Sequence, residues 1–284
     1  MPRKTTSLTR SKTNTSRQQK KSPKQSKTSR PVSKRKLNPT PSPSEPARRT
    51  RKSPQAVTTP KHADRVLVIG DTHCPGMLSA YPSFLQRVRK DYRCNRVVHI
   101  GDLVDNAAIS YHEKNPALPA PADELASAQT QVAVLYAAFP VADWLLGNHD
   151  ALSYRQAVTA GIPEAFLRPV NEVWNVPGWI THPRYTRLII DGVTYAHGDI
   201  GQAGMYSAVK NARANFGSWV CGHVHSEGGV WYTRAESGMV FGLNVGCGVD
   251  SDLLAFSYGR RYTRRPVIGC GVVLEGREAV FVRG

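Results

Sequence analysis

The stretch RVLVIGDTH at residues 65–73 decides the predicted fold of this chain. Val66–Ile69 form a short apolar run that indicates a buried β-strand, and Gly70 ends it. The polar residues Asp71 and His73 come directly after the strand. Because sites in open α/β sheets form at the carboxyl ends of strands, these two side chains are candidates for a functional site.

The same pattern, an apolar run followed by Asp, Asn or His, occurs four more times along the chain. A single such motif is weak evidence, since Asp-x-His and His-x-His occur by chance and Gly-Asn favours turns. Five motifs in order, each behind a predicted strand, indicate instead that their side chains converge on one site. The four further motifs are GDLVD (101–105), GNHD (147–150), HGD (197–199) and GHVH (222–225).

The remaining segments complete an α/β pattern. Helical spacing of apolar residues predicts two helices in the first half, with Asp123 as an N-cap. The second half instead predicts hairpins that turn at Asp191-Gly192 and at Glu275-Gly276. We therefore expect an α/β fold with two packed mixed sheets and outer helices. The predicted helices are 81–92 and 123–138, and the predicted strands are 65–69, 96–100, 141–146, 187–190, 193–196, 219–221, 240–245, 267–274 and 279–282.

The charge of the chain is concentrated in its first 62 residues. They hold 18 of the 38 Lys and Arg residues and one of the 21 acidic residues, so the net charge of +17 lies there and residues 63–284 are neutral. Few apolar residues and recurrent Ser-Pro steps predict that residues 1–62 are a disordered basic tail, followed by one domain over residues 63–284. Three roles fit the tail: a solubilising extension, sequence-independent binding of nucleic acid, or a targeting signal.

Several absences in the sequence bear on localisation. No run of about 18 apolar residues occurs, which excludes a membrane-spanning helix, and no apolar stretch follows the basic N-terminus as in a secretory signal. The five cysteines lack CxxC spacing and are expected to be reduced thiols. We therefore predict an intracellular, cytoplasmic protein without a membrane partner, with association with nucleic acid or the nucleoid as an alternative. The oligomeric state stays open.

The side chains at the five strand ends are carboxylate, amide and imidazole groups, with no thiolate among them. Such donors suit Mn²⁺, Fe or Zn²⁺ better than a structural zinc site built from cysteines. In the GHVH motif, His223 and His225 lie on the same side of an extended backbone, an arrangement that suits two adjacent metals. The sequence therefore predicts a metal site at this edge of the sheet.

Together, the five motifs resemble the signature of the calcineurin-like metallophosphoesterases, in family order, over about residues 64–250. The resemblance implies a four-layer α/β/β/α sandwich and two divalent metal ions, with Mn²⁺ preferred over Fe or Zn²⁺. The residues that match the family's first metal set are Asp71, His73, Asp102 and His225. Those that match the second set are Asn148, His197 and His223, with Asp102 bridging the two metals.

The resemblance also implies a catalytic mechanism. His149 matches the family's histidine near the leaving group, and Asp105 matches the acid that orients it. Two cations roughly 3.5–4 Å apart lower the pKa of a bridging water toward ~7, and the resulting hydroxide attacks phosphorus. A protonated His149 would assist the leaving group, a step worth roughly 10²–10⁴-fold in rate. The implied activity is metal-dependent hydrolysis of phosphate esters.

Departures from the protein phosphatases of the superfamily narrow the expected substrate. Cys74, Asn106-Ala107 and Asp150 stand where those enzymes carry Gly, Arg-Gly and Glu. Since the missing arginine binds phosphate in those enzymes, hydrolysis of phosphoproteins is disfavoured. The chain looks more like the compact stand-alone phosphoesterases of bacteria and phages, which are often phosphodiesterases or broad phosphatases.

Two further segments are candidates for contact with the substrate. Residues 107–122 follow Asp105 closely and carry Tyr111 and His112, so they would overhang the metals unless they form an ordinary surface loop. Residues 256–266 interleave arginines with tyrosines as a nucleic-acid contact would, and a solvated hairpin tip fits them equally well. The predicted substrate-binding residues are Asn148, His149, Arg260 and Arg261.

These observations predict a two-metal phosphodiesterase that acts on nucleotides or nucleic acid, with the basic tail as a nucleic-acid contact. A phosphomonoesterase acting on small molecules or phosphoproteins is the first alternative. The others are a nucleic-acid-binding protein with a vestigial metal site and an interaction protein whose tail is the functional part. The complete ligand set argues against a vestigial site, because lost activity usually leaves lost ligands.

Overall fold

The computed structural model of the chain describes residues 63–112, 115–236, 238–250, 252 and 264–284, and the predicted disordered tail lies outside these described residues. The helices are α1 (Tyr81–Asp91), α2 (Pro121–Ala138), α3 (Leu152–Thr159), α4 (Val170–Val173) and α5 (Ser207–Asn215). The strands are β1 (Arg65–Ile69), β2 (Arg96–His99), β3 (Ala142–Leu145), β4 (Trp179–His182), β5 (Leu188–Ile190), β6 (Val193–Tyr195), β7 (Trp219–Cys221), β8 (Gly228–Ala235), β9 (Gly238–Val245), β10 (Gly269–Leu274) and β11 (Glu278–Arg283).

The strands form two mixed sheets. The larger sheet has six strands in the order β11-β10-β1-β2-β3-β4, with β1 to β4 parallel and the other two antiparallel to their neighbours. The smaller sheet has five strands in the order β5-β6-β7-β9-β8, in which β6, β7 and β9 are parallel. The register pairs Ile69 with His99 and His99 with Trp144, so the carboxyl ends of β1, β2 and β3 lie level.

Alternation of side chains along β1 places a different core on each face of the larger sheet. Val66 and Val68 belong to a buried cluster shared with strands of the smaller sheet, so they fill the layer between the sheets. Leu67 and Ile69 belong to a second cluster shared with α1 and α2. On the far side, α5 packs Ala208 into a third cluster against the smaller sheet. Each fully buried aliphatic side chain contributes roughly 1.5–3 kcal/mol. The four-layer α/β/β/α sandwich is confirmed.

Both predicted hairpins are present. β5 and β6 pair antiparallel around Asp191 (φ 48°) and Gly192 (φ 80°), the two positive φ angles that a type I′ turn requires. β10 and β11 pair antiparallel through Glu275 (φ 55°) and Gly276 (φ 69°). The Asp191 carboxylate also accepts a hydrogen bond from the backbone nitrogen of Asp64 at 2.6 Å. The first hairpin is thereby joined to the segment that leads into β1.

The sequence pattern does not predict β4, β8, α3, α4 or α5, and the prediction of Asp123 as the N-cap of the second helix is wrong, because α2 begins two residues earlier, at Pro121. β8 begins with two glycines and lies at the edge of the smaller sheet, so it lacks the apolar run of a central strand. α5 follows Tyr206 in the left-handed conformation (φ 61°), without a capping side chain to announce the helix. β4 has only its first residue, Trp179, fully buried. These elements depend on packing against their neighbours rather than on a local signal.

The longest described helix, α2, has 18 residues and a narrow buried face of Glu124, Ala128, Val132 and Leu135. Its other positions are largely polar or exposed, as suits an outer layer of the sandwich. Among the described helices, none is both long enough and apolar enough to cross a membrane.

All five cysteines are buried and none forms a disulfide. Burial raises the pKa of Cys94 to about 11 and that of Cys74, Cys221 and Cys247 to about 12. Burial raises the pKa of Cys270 further still. Each thiol is therefore protonated at neutral pH.

Candidate metal centre

Five loops at the carboxyl ends of β1, β2, β3, β6 and β7 meet at one place. Backbone hydrogen bonds join two pairs of these loops: Thr72 and His73 donate to the carbonyl of Asp102 at 3.0 and 2.9 Å, and Gly222 donates to that of His197 at 2.9 Å. The carboxylates of Asp71 and Asp102 join the rest by accepting hydrogen bonds from the backbone nitrogens of His223 and His149. The structure thus brings together the residues predicted as metal ligands, which are Asp71, His73, Asp102, Asn148, His197, His223 and His225.

The first donor group consists of Asp71, His73 and His225. Nε2 of His225 lies 3.0 Å from Oδ2 of Asp71 and 3.1 Å from Nε2 of His73. One ligand atom from each residue lies within 4.8 Å of the others. Asp71 and His73 are buried, whereas the His225 side chain is 23% exposed, so the group opens to solvent on the His225 side.

The second donor group consists of Asp102, Asn148, His197 and His223. Nε2 of His197 lies 3.2 Å from Oδ2 of Asp102 and 3.1 Å from Oδ1 of Asn148. The His223 ring packs edge-on against that of His197, with ring centroids 4.9 Å apart. Nδ1 of His197 donates to the carbonyl of Ile100 at 3.2 Å. Burial lowers the pKa of His197, but the charge and hydrogen bond of Asp102 outweigh burial and raise it to about 10, so a metal ion would bind Nε2 by displacing its proton.

Asp102 connects the two donor groups. Its Oδ2 atom, 3.2 Å from Nε2 of His197, lies 3.7 Å from Nε2 of His73. Burial alone would raise the pKa of this carboxyl, but the charge and hydrogen bond of His197 hold the pKa well below its usual range. The carboxylate is therefore ionised, and its Oδ1 atom accepts a hydrogen bond from the backbone nitrogen of His149 at 2.8 Å.

The spacing of the donor atoms fits divalent metal ions. Bonds of about 2.1 Å at right angles place neighbouring ligand atoms about 3.0 Å apart. The separations within the two donor groups are 3.0, 3.1, 3.1 and 3.2 Å, each close to that value. Imidazole nitrogens, carboxylate oxygens and an amide oxygen are ligands of Mn²⁺, Fe and Zn²⁺ alike. The residues present therefore fit two metal ions, one at each donor group.

Three of the donor residues have a strained backbone. His73 (φ 45°), Asp102 (φ 48°) and His223 (φ 66°) all occupy the left-handed region, which non-glycine residues rarely adopt. Such conformations cost roughly 1–3 kcal/mol each and persist only where the surrounding structure enforces them, most often at functional sites. The strain turns each side chain back toward the centre immediately after its strand ends.

Two glycines of the sequence motifs make room for the carboxylates. A Cβ atom at Gly147 would collide with the side chain of Asp102, and one at Gly222 would collide with the side chain of Asp71. The glycines in GNHD and GHVH are therefore required by close approach of a ligand carboxylate. The sequence shows these glycines but not the atoms that they accommodate.

Asp105 holds two histidines rather than the one predicted. Nδ1 of His149 lies 2.6 Å from the Asp105 carbonyl and 3.2 Å from Oδ1 of its carboxylate. The same Oδ1 atom lies 2.9 Å from Nδ1 of His73. Both rings therefore direct Nδ1 toward Asp105, which leaves Nε2 of each ring for a metal or a substrate.

The environment of His149 favours its charged form. Burial lowers its pKa, but the hydrogen bond to Asp105 and the charges of Asp102 and Asp105 outweigh burial and raise the pKa of His149 to about 9. The His149 side chain is 19% exposed, so a substrate can reach it. A protonated imidazole in this position can donate a proton to a leaving group.

His99 joins two ligand loops, and the sequence analysis missed it. Thr72 Oγ1 donates to the carbonyl of Leu103 at 2.9 Å, so Nε2 of His99, at 3.2 Å, is the donor to that hydroxyl. The backbone nitrogen of Gly101 in turn donates to Nδ1 of His99 at 3.3 Å. Burial lowers the pKa of His99 to about 3, so the ring is neutral. A polar residue inside the apolar run 96–100 was the available signal.

Asp150 is a second residue whose role was missed. It is buried and accepts hydrogen bonds from the backbone nitrogens of Gly147 (2.8 Å) and Val104 (3.2 Å) and from Nε1 of Trp144 (3.2 Å). It therefore fixes the loop that carries Asn148 and His149. Its position at the end of the GNHD motif was the only signal in the sequence.

The two segments predicted to contact substrate lie only partly within the described residues. Arg260 and Arg261 lie outside the described residues. At the start of segment 107–122, the Tyr111 hydroxyl hydrogen-bonds Thr159 Oγ1 at 2.9 Å, and the Arg155 guanidinium lies 4.9 Å from the Tyr111 ring centroid. This part of the segment therefore packs against α3.

Comparisons with known proteins agree with this geometry. The family model described as calcineurin-like phosphoesterase matches residues 64–227, more than half of the chain. No curated protein matches significantly.

Three solved structures illustrate the similarity. Vacuolar Protein Sorting 29 from Cryptosporidium parvum has 18% identity and a TM-score of 0.40, with 77% of this chain and 89% of that chain covered. YfcE, a phosphoesterase from E. coli, has 13% identity and a TM-score of 0.35, with 77% and 100% covered. TT1561 of Thermus thermophilus has 8% identity and a TM-score of 0.35, with 78% and 99% covered. The family assignment rests on the match to the family model.

Proposed function

Because the chain belongs to the calcineurin-like phosphoesterase family, we propose that it is a metal-dependent hydrolase of phosphate esters that prefers the phosphodiesters of nucleotides or nucleic acid. The family membership supports the reaction type. The preference for diesters rests on Asn106 and on the basic tail of this chain.

One observation carries the proposal, namely the position of Asp102 between the two donor groups. Its Oδ2 atom is within 3.2 Å of His197 and 3.7 Å of His73, so a single carboxylate serves both groups. A structural metal site would have no use for a second donor group that shares a ligand with the first. The arrangement instead suits a pair of ions that act on one substrate.

The proposed roles of the residues follow from their positions. Asp71, His73, Asp102 and His225 would hold one ion, and Asp102, Asn148, His197 and His223 the other. Bound Mn²⁺, Fe or Zn²⁺ ions would supply Lewis-acid polarisation of the phosphate and activation of water. Each group offers two imidazole nitrogens and two oxygens, a mixed set that all three metals accept, and we propose Mn²⁺. Asp105 holds His149 in place, and His149 would donate its proton to the departing ester oxygen.

Asn106 supports a preference for diesters. Its side chain donates to the His149 carbonyl at 3.0 Å, so it braces the loop instead of binding phosphate as an arginine would. A diester carries one negative charge fewer than a monoester, and it therefore needs fewer fixed cations around it. The basic tail, with 18 Lys and Arg residues, would in addition attract a polyanionic substrate.

A comparison of rates on three substrates tests the proposal. Purified full-length protein, loaded with Mn²⁺, is assayed on bis-p-nitrophenyl phosphate, p-nitrophenyl phosphate and a labelled single-stranded oligonucleotide. Asp102→Asn serves as the blank for contaminating activity. We expect kcat/KM to be highest on the diester and the oligonucleotide to be cleaved. A higher kcat/KM on the monoester, with an intact oligonucleotide, would replace the proposal by a phosphomonoesterase.

The contribution of the tail can be measured on the same protein. If the tail recruits nucleic acid, KM for the oligonucleotide should rise steeply with salt between 50 and 200 mM, by roughly 10-fold or more, through counterion release. KM for the small diester should change little over that range, because a molecule of that size is too small to contact the tail and the active site at the same time. Equal salt dependence for both substrates would remove the tail from the proposal.

A further inference from the structure

Arg184 follows β4, the strand beside β3 in the larger sheet. β4 is the parallel neighbour of β3, and the register pairs Leu145 with His182. The pairing continues one residue beyond β3, where the backbone nitrogen of Leu146 donates to the His182 carbonyl at 3.0 Å. After His182 the chain turns, with the backbone nitrogen of Thr186 donating to the Pro183 carbonyl at 3.1 Å, and Arg184 lies in this turn at the carboxyl end of β4.

The same arginine is bound to the loop that carries His197. Its Nε and Nη2 atoms each lie 2.7 Å from Oδ2 of Asp199, which follows His197 by two residues. The Arg184 side chain is 20% exposed and that of Asp199 is 8% exposed. The guanidinium is therefore held by the loop that supplies His197, and the charge of Asp199 acts on both His197 and His223 of the second donor group.

The guanidinium is braced but not saturated. It lies 4.5 Å from the ring centroid of Tyr185, a residue held in the left-handed conformation (φ 72°). Both contacts with Asp199 use the single oxygen Oδ2, and among the described residues Nη1 of Arg184 has no protein partner. The other oxygen, Oδ1 of Asp199, is buried and also lacks a hydrogen-bond partner in the described part of the chain.

A fixed guanidinium with free N–H groups beside a metal pair is suited to one class of ligand. Its planar fork matches the oxygens of a phosphate group, and the charge persists at any physiological pH. An ion pair that served stability alone would not need to lie at the carboxyl ends of the strands. The missing arginine at Asn106 leaves the phosphate without a cationic side chain from that loop.

We propose that Arg184, held by Asp199, binds the nonbridging phosphate oxygens of the substrate beside the second donor group. The inference rests on the proposed phosphoesterase function and assigns its phosphate-binding cation to a different loop from that of the protein phosphatases. Arg184 orients the ester and stabilises negative charge on phosphate. Asp199 is a positioning residue that fixes the fork without touching the substrate.

The test measures binding of inorganic phosphate as well as turnover. Arg184→Gln removes the charge, and Arg184→Lys keeps the charge but not the fork. Arg96→Lys is the matched control, since Arg96 is also a partly exposed arginine that pairs with Asp143 and Asp64, at the opposite ends of the strands. For each Mn²⁺-loaded variant, calorimetry gives the Kd of phosphate and elemental analysis gives the metal content.

We expect Arg184→Gln to weaken phosphate binding about 10- to 100-fold and Arg184→Lys by less, since hydrogen bonds between charged groups are worth roughly 1.5–3 kcal/mol. KM for the diester should rise in parallel, with two metal ions retained in both variants, and Arg96→Lys should match the wild type. Phosphate binding within twofold of the wild type in Arg184→Gln would overturn the inference. Loss of a metal ion from Arg184→Lys would also overturn it, because the pair would then support the metal site.

The two proposals fail in different ways. If the wild type hydrolyses no ester but binds phosphate through Arg184, the phosphoesterase function is wrong and the phosphate-binding role of Arg184 stands. If the wild type turns over the diester and Arg184→Gln does so with unchanged KM, the function stands and the inference about Arg184 is wrong.

Discussion

Within the described residues, aspartates and histidines cluster at two places, and the two clusters differ in what their side chains contact. The metal centre lies at the carboxyl ends of the parallel strands. The other, here called the amino-end cluster, consists of Asp64 before β1, Arg96 at the start of β2, Asp143 near the start of β3, and His182, the last residue of β4, whose side chain hydrogen-bonds Asp143. In it, Asp143 lies 2.9 Å from Arg96 and 2.8 Å from His182, and Asp64 lies 3.1 Å from Arg96.

The two clusters differ in which atoms lie opposite their carboxylate and imidazole groups. In the amino-end cluster each carboxylate faces a cation or a histidine, and none of its four residues has a positive φ angle. In the metal centre, two imidazole nitrogens face each other at 3.1 Å, and three donor residues have left-handed backbones. Convergent donors on a strained backbone thus distinguish a metal site from an ion-pair network of similar composition.

The largest effect should come from removing the shared charge of the metal centre. Asp102→Asn deprives both donor groups of their common carboxylate, and the lost charge stabilisation is worth several kcal/mol. We expect kcat on the diester to fall by about 10⁴-fold and bound metal to fall below two ions per chain. Asp143→Asn, the matched change in the amino-end cluster, should retain both ions and wild-type turnover. Full metal content in Asp102→Asn would remove the distinction between the two clusters.

A smaller effect is expected at His149, which lies in the centre but outside both donor groups. His149→Ala should retain two metal ions and lose roughly 10²- to 10³-fold in kcat on esters with poor leaving groups, because only the proton donor is lost. On p-nitrophenyl esters, whose leaving group needs no proton, the loss should be much less. Comparing kcat across leaving groups of different pKa checks this division of roles. A variant with one ion per chain would place His149 among the ligands.

His99 should show an intermediate behaviour, because it supports ligands without being one. His99→Phe fills the buried space, but the nitrogen of Gly101 loses its acceptor and the hydroxyl of Thr72 loses the hydrogen bond that it accepts from His99. Loss of such support typically lowers metal affinity about 10- to 100-fold. A chelator titration would measure this change, and kcat at saturating Mn²⁺ should stay within several-fold of the wild type. Unchanged metal affinity would make His99 a residue of the core alone.

The smallest effect should come from the amino-end cluster itself. Arg96→Gln removes a cation that is 30% exposed, so screening by solvent limits the loss to about 1 kcal/mol in the free energy of unfolding. For a domain of this size, that corresponds to a decrease of roughly 2–4 °C in Tm. Turnover and metal content should equal those of the wild type. A decrease in kcat would show that the two clusters are coupled.

The sequence predicts the positions of the candidate metal ligands better than it predicts the strands and helices around them. Each predicted ligand follows an apolar run that ends at a fixed point, so its place at the edge of the sheet follows from the sequence alone. β4 and β8 have no such run, because edge strands are buried on one side only and their pairing depends on neighbours distant in sequence. The left-handed backbones of His73 and Asp102 could not be predicted either, since neither residue type favours that conformation strongly enough to signal it.

The second contacts of the site residues were also beyond the sequence. Asp105 was assigned to His149 alone, and its contact with His73 arises only because the loops after β1 and β2 share backbone hydrogen bonds. Arg184 and Asp199 are 15 residues apart, and nothing in the local pattern of either indicates that they pair. Contacts between loops can be predicted only when the register of the strands that precede the loops is known.

The burial of all five thiols has a practical consequence for experiments on this protein. A protonated, inaccessible thiol reacts slowly with maleimides and disulfide reagents. The native cysteines of the folded chain should therefore be labelled very little by such reagents. A cysteine introduced at an exposed position would take up a fluorophore selectively. The rate at which the native thiols are labelled would in turn measure how often the fold opens, because the reagent reaches them only when the sandwich unfolds locally or globally.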